Sequence, residues 1–218
     1  METFIEKIGL YDLVGVLLSG AIAIVSMEVL LRRGTIIELQ KYEHSWILFL
    51  IISYIIGLVL QESSSIIDRV FLEIRETPKR NYIYKNNNVI KNEKERERYL
   101  GLLIKEYGKA ETDITEKDME DFYYKIVSVL ETNNLDAKIK RISSLYGSAR
   151  SLAFFYMYMC LHMYYKDMNN WYICLVFTFL FFMRTYRFAK MKVRVTLRHY
   201  YALKKDSDNK QKTHQKVN

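Results

Sequence analysis

Four stretches of this sequence, residues 13–27, 46–60, 151–165 and 171–183, contain no aspartate, glutamate, lysine or arginine, although 27% of the whole chain is charged. Segregation of this kind leaves two solutions: four buried core helices of a soluble protein, or helices that cross a bilayer. The fourth stretch, WYICLVFTFLFFM, favours the second. It has no polar face to turn toward water, and a helix apolar all round suits lipid better than a two-layer soluble fold. Each stretch is shorter than the roughly 20 residues a spanning helix needs, but small, polar or interfacial residues extend each at one end. The chain therefore reads as an all-α membrane protein with about four transmembrane helices and a helical cytoplasmic region between spans two and three.

The basic residues orient it. Of 33 lysines and arginines, one precedes the first span, seventeen lie between spans two and three, and eleven follow span four. Only three lie between spans one and two and one between spans three and four. Positive charge collects on the cytoplasmic side of short loops, so both termini and the long middle segment are expected to be cytoplasmic. The first apolar stretch is flanked by acids and bases alike and reads as a retained span, not a cleavable leader. Cys160 and Cys174 lie inside apolar stretches and read as small apolar residues, not a disulfide framework.

Two of the spans carry a small or polar face at helical spacing. In the first it is Asp12, Gly15, Ser19, Ala23 and Ser26; in the second it is Tyr54, Gly57, Gln61, Ser64 and Asp68. Small residues let helices approach closely and polar ones bond across them in lipid. The same residues would also suit the wall of a wet path, where the Asp68 carboxylate would concentrate cations. Spacing alone leaves both readings open.

The domain organisation follows: an N-terminal helix pair over 1–69, a helical region over 70–149, a C-terminal hairpin over 150–186, and a basic juxtamembrane helix with a disordered tail over 187–218. Within the middle region, EKERERYLGLLIKEY is amphipathic through Tyr99, Leu102, Leu103 and Tyr107. A Thr115–Asp118 capping box opens the next helix, with Phe122, Ile126, Val129 and Leu130 on its apolar face. From about Asp136 the chain can run as one helix into span three.

The sequence contains no Gly-rich phosphate loop, no metal-spaced Cys/His cluster and no nucleophile elbow. No metal or cofactor is expected, and the chain is not read as an enzyme. The remaining catalytic candidates are Arg194 and His199, which resemble the R-x4–6-H element of HEPN-type ribonucleases. Against that stands a basic helix meeting anionic lipid or nucleic acid through Arg184, Arg187, Lys190, Lys192, Arg194 and Arg198.

The segments YDLVGVLLSG, YIIGLVLQ and SARSLAFF, with the charged insert and the basic helix after span four, resemble small multi-span bacterial membrane proteins of anti-phage defence operons. That group includes membrane effectors and the membrane accessories of RNA-targeting CRISPR systems. The likeness is one of layout, over residues 8–70 and 148–203, and Ser19 stands where the group often has proline. It implies a multi-pass protein of the bacterial inner membrane, embedded in lipid and homo-oligomeric. Such a protein perturbs the membrane or opens a channel when a cytoplasmic protein, nucleotide or nucleic acid triggers it. It carries over no catalytic residue. The alternatives are a membrane-anchored nucleic-acid-binding or HEPN-like ribonuclease accessory, and a non-catalytic adaptor subunit of a membrane complex.

Overall fold

The structure is a computed structural model that describes residues 10–31, 45–69, 74, 77–83, 89–90 and 92–217, with side chains described from residue 13 and as far as residue 205. Asp12 thus lies outside the described side chains. Among the described residues the regular elements are all helical: α1 (Leu10–Leu31), α2 (Ser45–Ile67), α3 (Thr77–Arg80), α4 (Glu93–Tyr107), a 3-10 turn (Glu111–Asp113), α5 (Glu116–Thr132), α6 (Ala137–Tyr165) and α7 (Trp171–Val217). The chain forms two compact units. Met1–Ile74 joins Lys140–Phe188 in the first, and Arg75–Ile139 joins Ala189–Asn218 in the second.

Three helices are long and apolar enough to cross a membrane, over Leu13–Leu31, Ser45–Ile67 and within Trp171–Lys205. Residues 151–165, expected as a further span, lie in α6 but do not reach that threshold. His162 and four tyrosines within them, with Arg150 just before, dilute the apolar character. The physical reason is visible in the first unit, where α6 is the most enclosed helix. Ser148 donates to the Gly15 carbonyl of α1 at 3.0 Å, and the Ser26 and Tyr156 hydroxyls meet at 2.7 Å. On another side the Tyr156 ring stacks on Phe177 and Phe181 of α7 at 5.0 and 5.7 Å. Ala23, Leu152, Phe155, Met159, Met163 and Cys174 fill the space between. Neighbours cover Arg150, Ser151 and Tyr156 of this helix, while Tyr158, Tyr164 and Tyr165 are exposed.

Helices α1 and α2 touch backbone to backbone. A Cβ built on Gly20 would fall 1.7 Å from the Ser53 carbonyl oxygen, and one on Gly57 would fall 2.0 Å from that of Val16. Nothing larger than hydrogen fits at either position. The contact runs through Gly20 and Ser53, which lie outside the two stripes, and through Gly57 of the second; Ser19 and Ala23 are buried, with Ser19 donating to the Val16 carbonyl at 2.8 Å.

Helices α6 and α7 are joined by a tight turn. Asp167 takes a left-handed conformation with φ 52°. Its amide bonds back to the Tyr164 carbonyl at 3.1 Å, and the Met168 amide reaches the Met163 carbonyl at 3.0 Å. This is the Schellman pattern, which satisfies carbonyls that a helix end would otherwise leave open. Met168 then packs on the core that contains Met163. Tyr164 and Trp171 meet edge to face across the turn at 5.5 Å. Both cysteines are free thiols.

The second unit has its own core of Tyr82, Tyr99, Leu103, Phe122, Ile126 and Leu130, joined by Val193 and Leu197 of α7. The capping box of α5 is formed in both directions between Thr115 and Asp118. Rings extend the core to its edge: Phe122 lies edge-on to Tyr200 at 6.0 Å and Tyr99 to Tyr201 at 6.4 Å. The backbone of α7 stays helical through Val217, where a disordered tail is expected from composition. Residues 206–217 contain no glycine or proline that would stop a helix once begun.

Ion pairs in the second unit give it an acid-sensitive component. The hydrogen bond from Lys109, with further bonds from Thr115, holds the Asp118 carboxyl down at about 2, and the Arg198 hydrogen bond lowers Glu95. Both folded-state values lie below the unfolded ones near 4. The stabilisation they bring is therefore complete above about pH 4 to 5 and is lost as pH falls through the folded values. Helicity of the full chain in detergent, followed by circular dichroism against pH, should fall between about pH 4 and pH 2. Asp118→Asn with Glu95→Gln should flatten that slope and lower the melting temperature at neutral pH. An unchanged slope would show that other carboxylates govern the acid transition.

Candidate functional site

The polar continuation of α2 ends in a buried cluster of charged and hydroxyl groups within the first unit. Gln61, Ser64 and Asp68 recur at i, i+3 and i+7, which places them on one face of α2 and of the short π-type winding that carries Asp68 and Arg69. Tyr146 and Arg150 stand four apart on α6, with Gly147 and Ser151 beside them, and the two faces meet.

Asp68 is 2% exposed and Arg150 6%. The Tyr146 hydroxyl donates to one carboxylate oxygen of Asp68 at 2.5 Å, and Arg150 Nη1 approaches the same oxygen at 3.4 Å. The other oxygen accepts from the backbone amide of Ile74 at 3.0 Å. Its other two nitrogens also have acceptors: Nε donates to Ser64 Oγ at 3.2 Å and Nη2 to the Gln61 carbonyl at 3.4 Å. Its plane also lies 5.3 Å from the centre of the Tyr146 ring, within cation–π range. Ser64 donates to the Gln61 carbonyl at 3.0 Å and lies 3.3 Å from the Ser151 hydroxyl, which donates to the Gly147 carbonyl at 2.9 Å. Removing two full charges from water costs several kcal/mol each unless pairing and hydrogen bonds are complete. Here the carboxylate has three donors and the arginine three acceptors.

This changes the chemistry open to the stripe. Asp68, as placed, is a neutralised carboxylate enclosed by protein, not a bare charge at a wet mouth. Gly57 and Ser64 are buried and Gln61 is half-buried, while Gly15 lies against Ser144 and Ser148. Glu62 points the other way. It is exposed on α2 and has no partner among the described residues.

The basic helix separates into groups. Arg184 and Arg187 are exposed, and the Arg184 guanidinium lies 5.3 Å from the Phe188 ring centre. In the second unit, Arg198 pairs with Glu95 at 2.6 Å, and Lys190 and Lys192 are half-buried with partners of their own. Arg194 donates from both Nε and Nη2 to the Val89 carbonyl at 2.9 and 2.6 Å. That edge of its guanidinium, the one suited to forking a phosphate, is committed to the backbone. His199 is half-buried. Among the described residues no group of three or more His, Cys, Asp or Glu is placed to hold a metal ion.

No protein-family model, curated protein or solved structure matches this chain. Its function has to be argued from the cluster itself. Arg150 and Tyr146, the two side-chain partners of Asp68, are the residues that stripe periodicity does not reveal. An arginine at the edge of an apolar stretch, on the same expected side as the acid, is the signal that could have found them.

Proposed function

We propose that this chain is a four-span membrane protein that acts as a homo-oligomeric, membrane-perturbing effector, gated by its cytoplasmic helices, with Asp68 and Arg150 as the latch of its resting form. The observation that carries the reading is the buried ion pair itself. A seam that only packs is made at lower cost from small and apolar residues, as α1 and α2 do at Gly20 and Gly57. Buried charges are best attested as devices that set register or hold one of two states. The fourth span is α6. It lies antiparallel to α7 across a short turn, so if α7 crosses the bilayer α6 crosses beside it, with Arg150, Ser151 and Tyr156 covered. The charge distribution supports placing both termini and the middle segment in the cytoplasm. The layout resemblance to defence-operon membrane proteins points to the same class.

The test is ion release from sealed liposomes containing the purified full chain. A double variant, Asp68→Asn with Arg150→Gln, keeps hydrogen-bonding groups in place while removing both charges. A latch worth about 1.4 kcal/mol would, on release, raise the open population about tenfold. Leakage should rise by that order while the oligomer stays intact. Unchanged leakage from an intact oligomer would defeat the latch. It would favour a second reading, a non-catalytic adaptor subunit, which the enclosure of the node by protein supports. An RNA-cutting role for Arg194 and His199 draws no support from the commitment of Arg194 to Val89.

A further inference from the structure

Glu62 stands out among the membrane-length helices. Exposed positions over 13–31, 151–165 and 171–183 are all aliphatic, methionine, phenylalanine or tyrosine. On α2 the outward face runs Ile51, Ile55, Leu58, Glu62 and Ile66 at intervals of three and four, opposite the buried Ser53, Gly57 and Ser64. Glu62 is therefore central on an apolar face and cannot turn into the seam behind it. It lies five residues before the last residue of α2, about 8 Å along the axis at 1.5 Å per residue. Ser63, exposed beside it, also lacks a partner among the described residues.

We propose that this face of α2 is where a second copy of the chain docks, with Glu62 and Ser63 forming the polar layer of the contact. The proposal rests on the membrane placement argued above and names the surface through which the oligomer forms. A carboxylate facing hydrocarbon is costly, and intramembrane acids turn toward protein or water. Copies inserted in the same direction bring the same depth of α2 together. Each then offers an acceptor at Glu62 and a donor at Ser63, a self-complementary pair that a lipid chain cannot match. The outward faces of α1 and of the first half of α7 have no such group, which selects α2 among the exposed apolar surfaces. Polar contacts of this kind strengthen helix association in lipid, while small apolar contacts alone set close approach.

The experiment uses the full chain in phospholipid vesicles, with Cys160→Ala to remove the more accessible native thiol. Oxidation of Val59→Cys or Ile66→Cys should give a disulfide-linked dimer. Val25→Cys on α1 and Phe179→Cys on α7 should not. Glu62→Leu should weaken self-association about five- to tenfold, whereas Glu62→Gln, which retains hydrogen bonding, should stay within about twofold. Cross-linking through Val25 or Phe179 alone would overturn the proposal. So would a monomer by single-molecule photobleaching, or tighter association of Glu62→Leu. Release of the chain by alkaline carbonate would instead reject the membrane placement, which keeps the two failures apart.

Discussion

Replacing Arg150 alone by leucine should cost on the order of 3–5 kcal/mol, enough to prevent most of the chain from folding stably. The loss does not measure the strength of the ion pair, whose nitrogen and oxygen are 3.4 Å apart. It measures what is left behind: the Asp68 carboxylate, 2% exposed, would keep only the Tyr146 hydroxyl and the Ile74 amide as donors. Ser64 and the Gln61 carbonyl would lose their arginine donors at the same time. The companion variant separates pairing from packing. Asp68→Leu with Arg150→Met removes both charges and fills similar volume, so its stability should return to within about 1–2 kcal/mol of the parent. Thermal melting in detergent, followed by retention of a monodisperse peak, reads both. A double variant as damaged as the single one would mean that the charges themselves hold the fold.

The second large effect is steric. Gly20→Ala and Gly57→Ala each force a methyl group against a backbone carbonyl at 1.7 and 2.0 Å, where neither helix has a flexible side chain to move aside. Overpacking of this kind costs about 1–3 kcal/mol in a core, and separating two helices that lack a strong hydrophobic drive in lipid should place both variants at the upper end. Two other glycines are the controls. Nothing lies within 4 Å of a Cβ on Gly101, and the nearest atom to one on Gly147 is the Gln61 side-chain nitrogen at 3.6 Å. Alanine at Gly101, inside α4, should stabilise by about 0.5–1 kcal/mol through helix propensity. If all four substitutions behave alike, close approach of α1 and α2 is not what holds the first unit.

Much of this architecture was readable from pattern. Uncharged runs locate the apolar helices, the Thr115–Asp118 box marks the start of α5, and the unbroken stretch from Asp136 foretells α6 as one helix from Ala137. These are local signals, carried by neighbours within a turn or two. What pattern could not give was partnership. The stripe on α2 is visible as a period, but a period does not say whether its outer boundary is water, lipid or another helix. The answer for Asp68 sits 82 residues away at Arg150. Gly20 was missed because its neighbour Ser19 satisfied the stripe's spacing, although Gly20 is where α1 comes closest to α2. The six cations of the basic helix look equivalent in sequence, yet acceptors on distant segments, Glu95 and the Val89 carbonyl, bind two of them. Side-chain chemistry names candidates; only the fold assigns them partners.

The turn at Asp167 bears on how such a chain is made. In the four-span arrangement, α6 has too much polar character to partition from the translocon unaided, and the strongly apolar WYICLVFTFLFFM emerges only after it. The Schellman closure leaves little slack between the two. Biogenesis would then proceed by pairing first and partitioning second. A nascent α6 would wait at the lateral gate until α7 arrives to shield it, and both would enter lipid as a preformed hairpin. A ribosome stalled before Trp171 would leave α6 stranded, with His162 and the tyrosines of its apolar stretch in the membrane before α7 could cover that side of the helix.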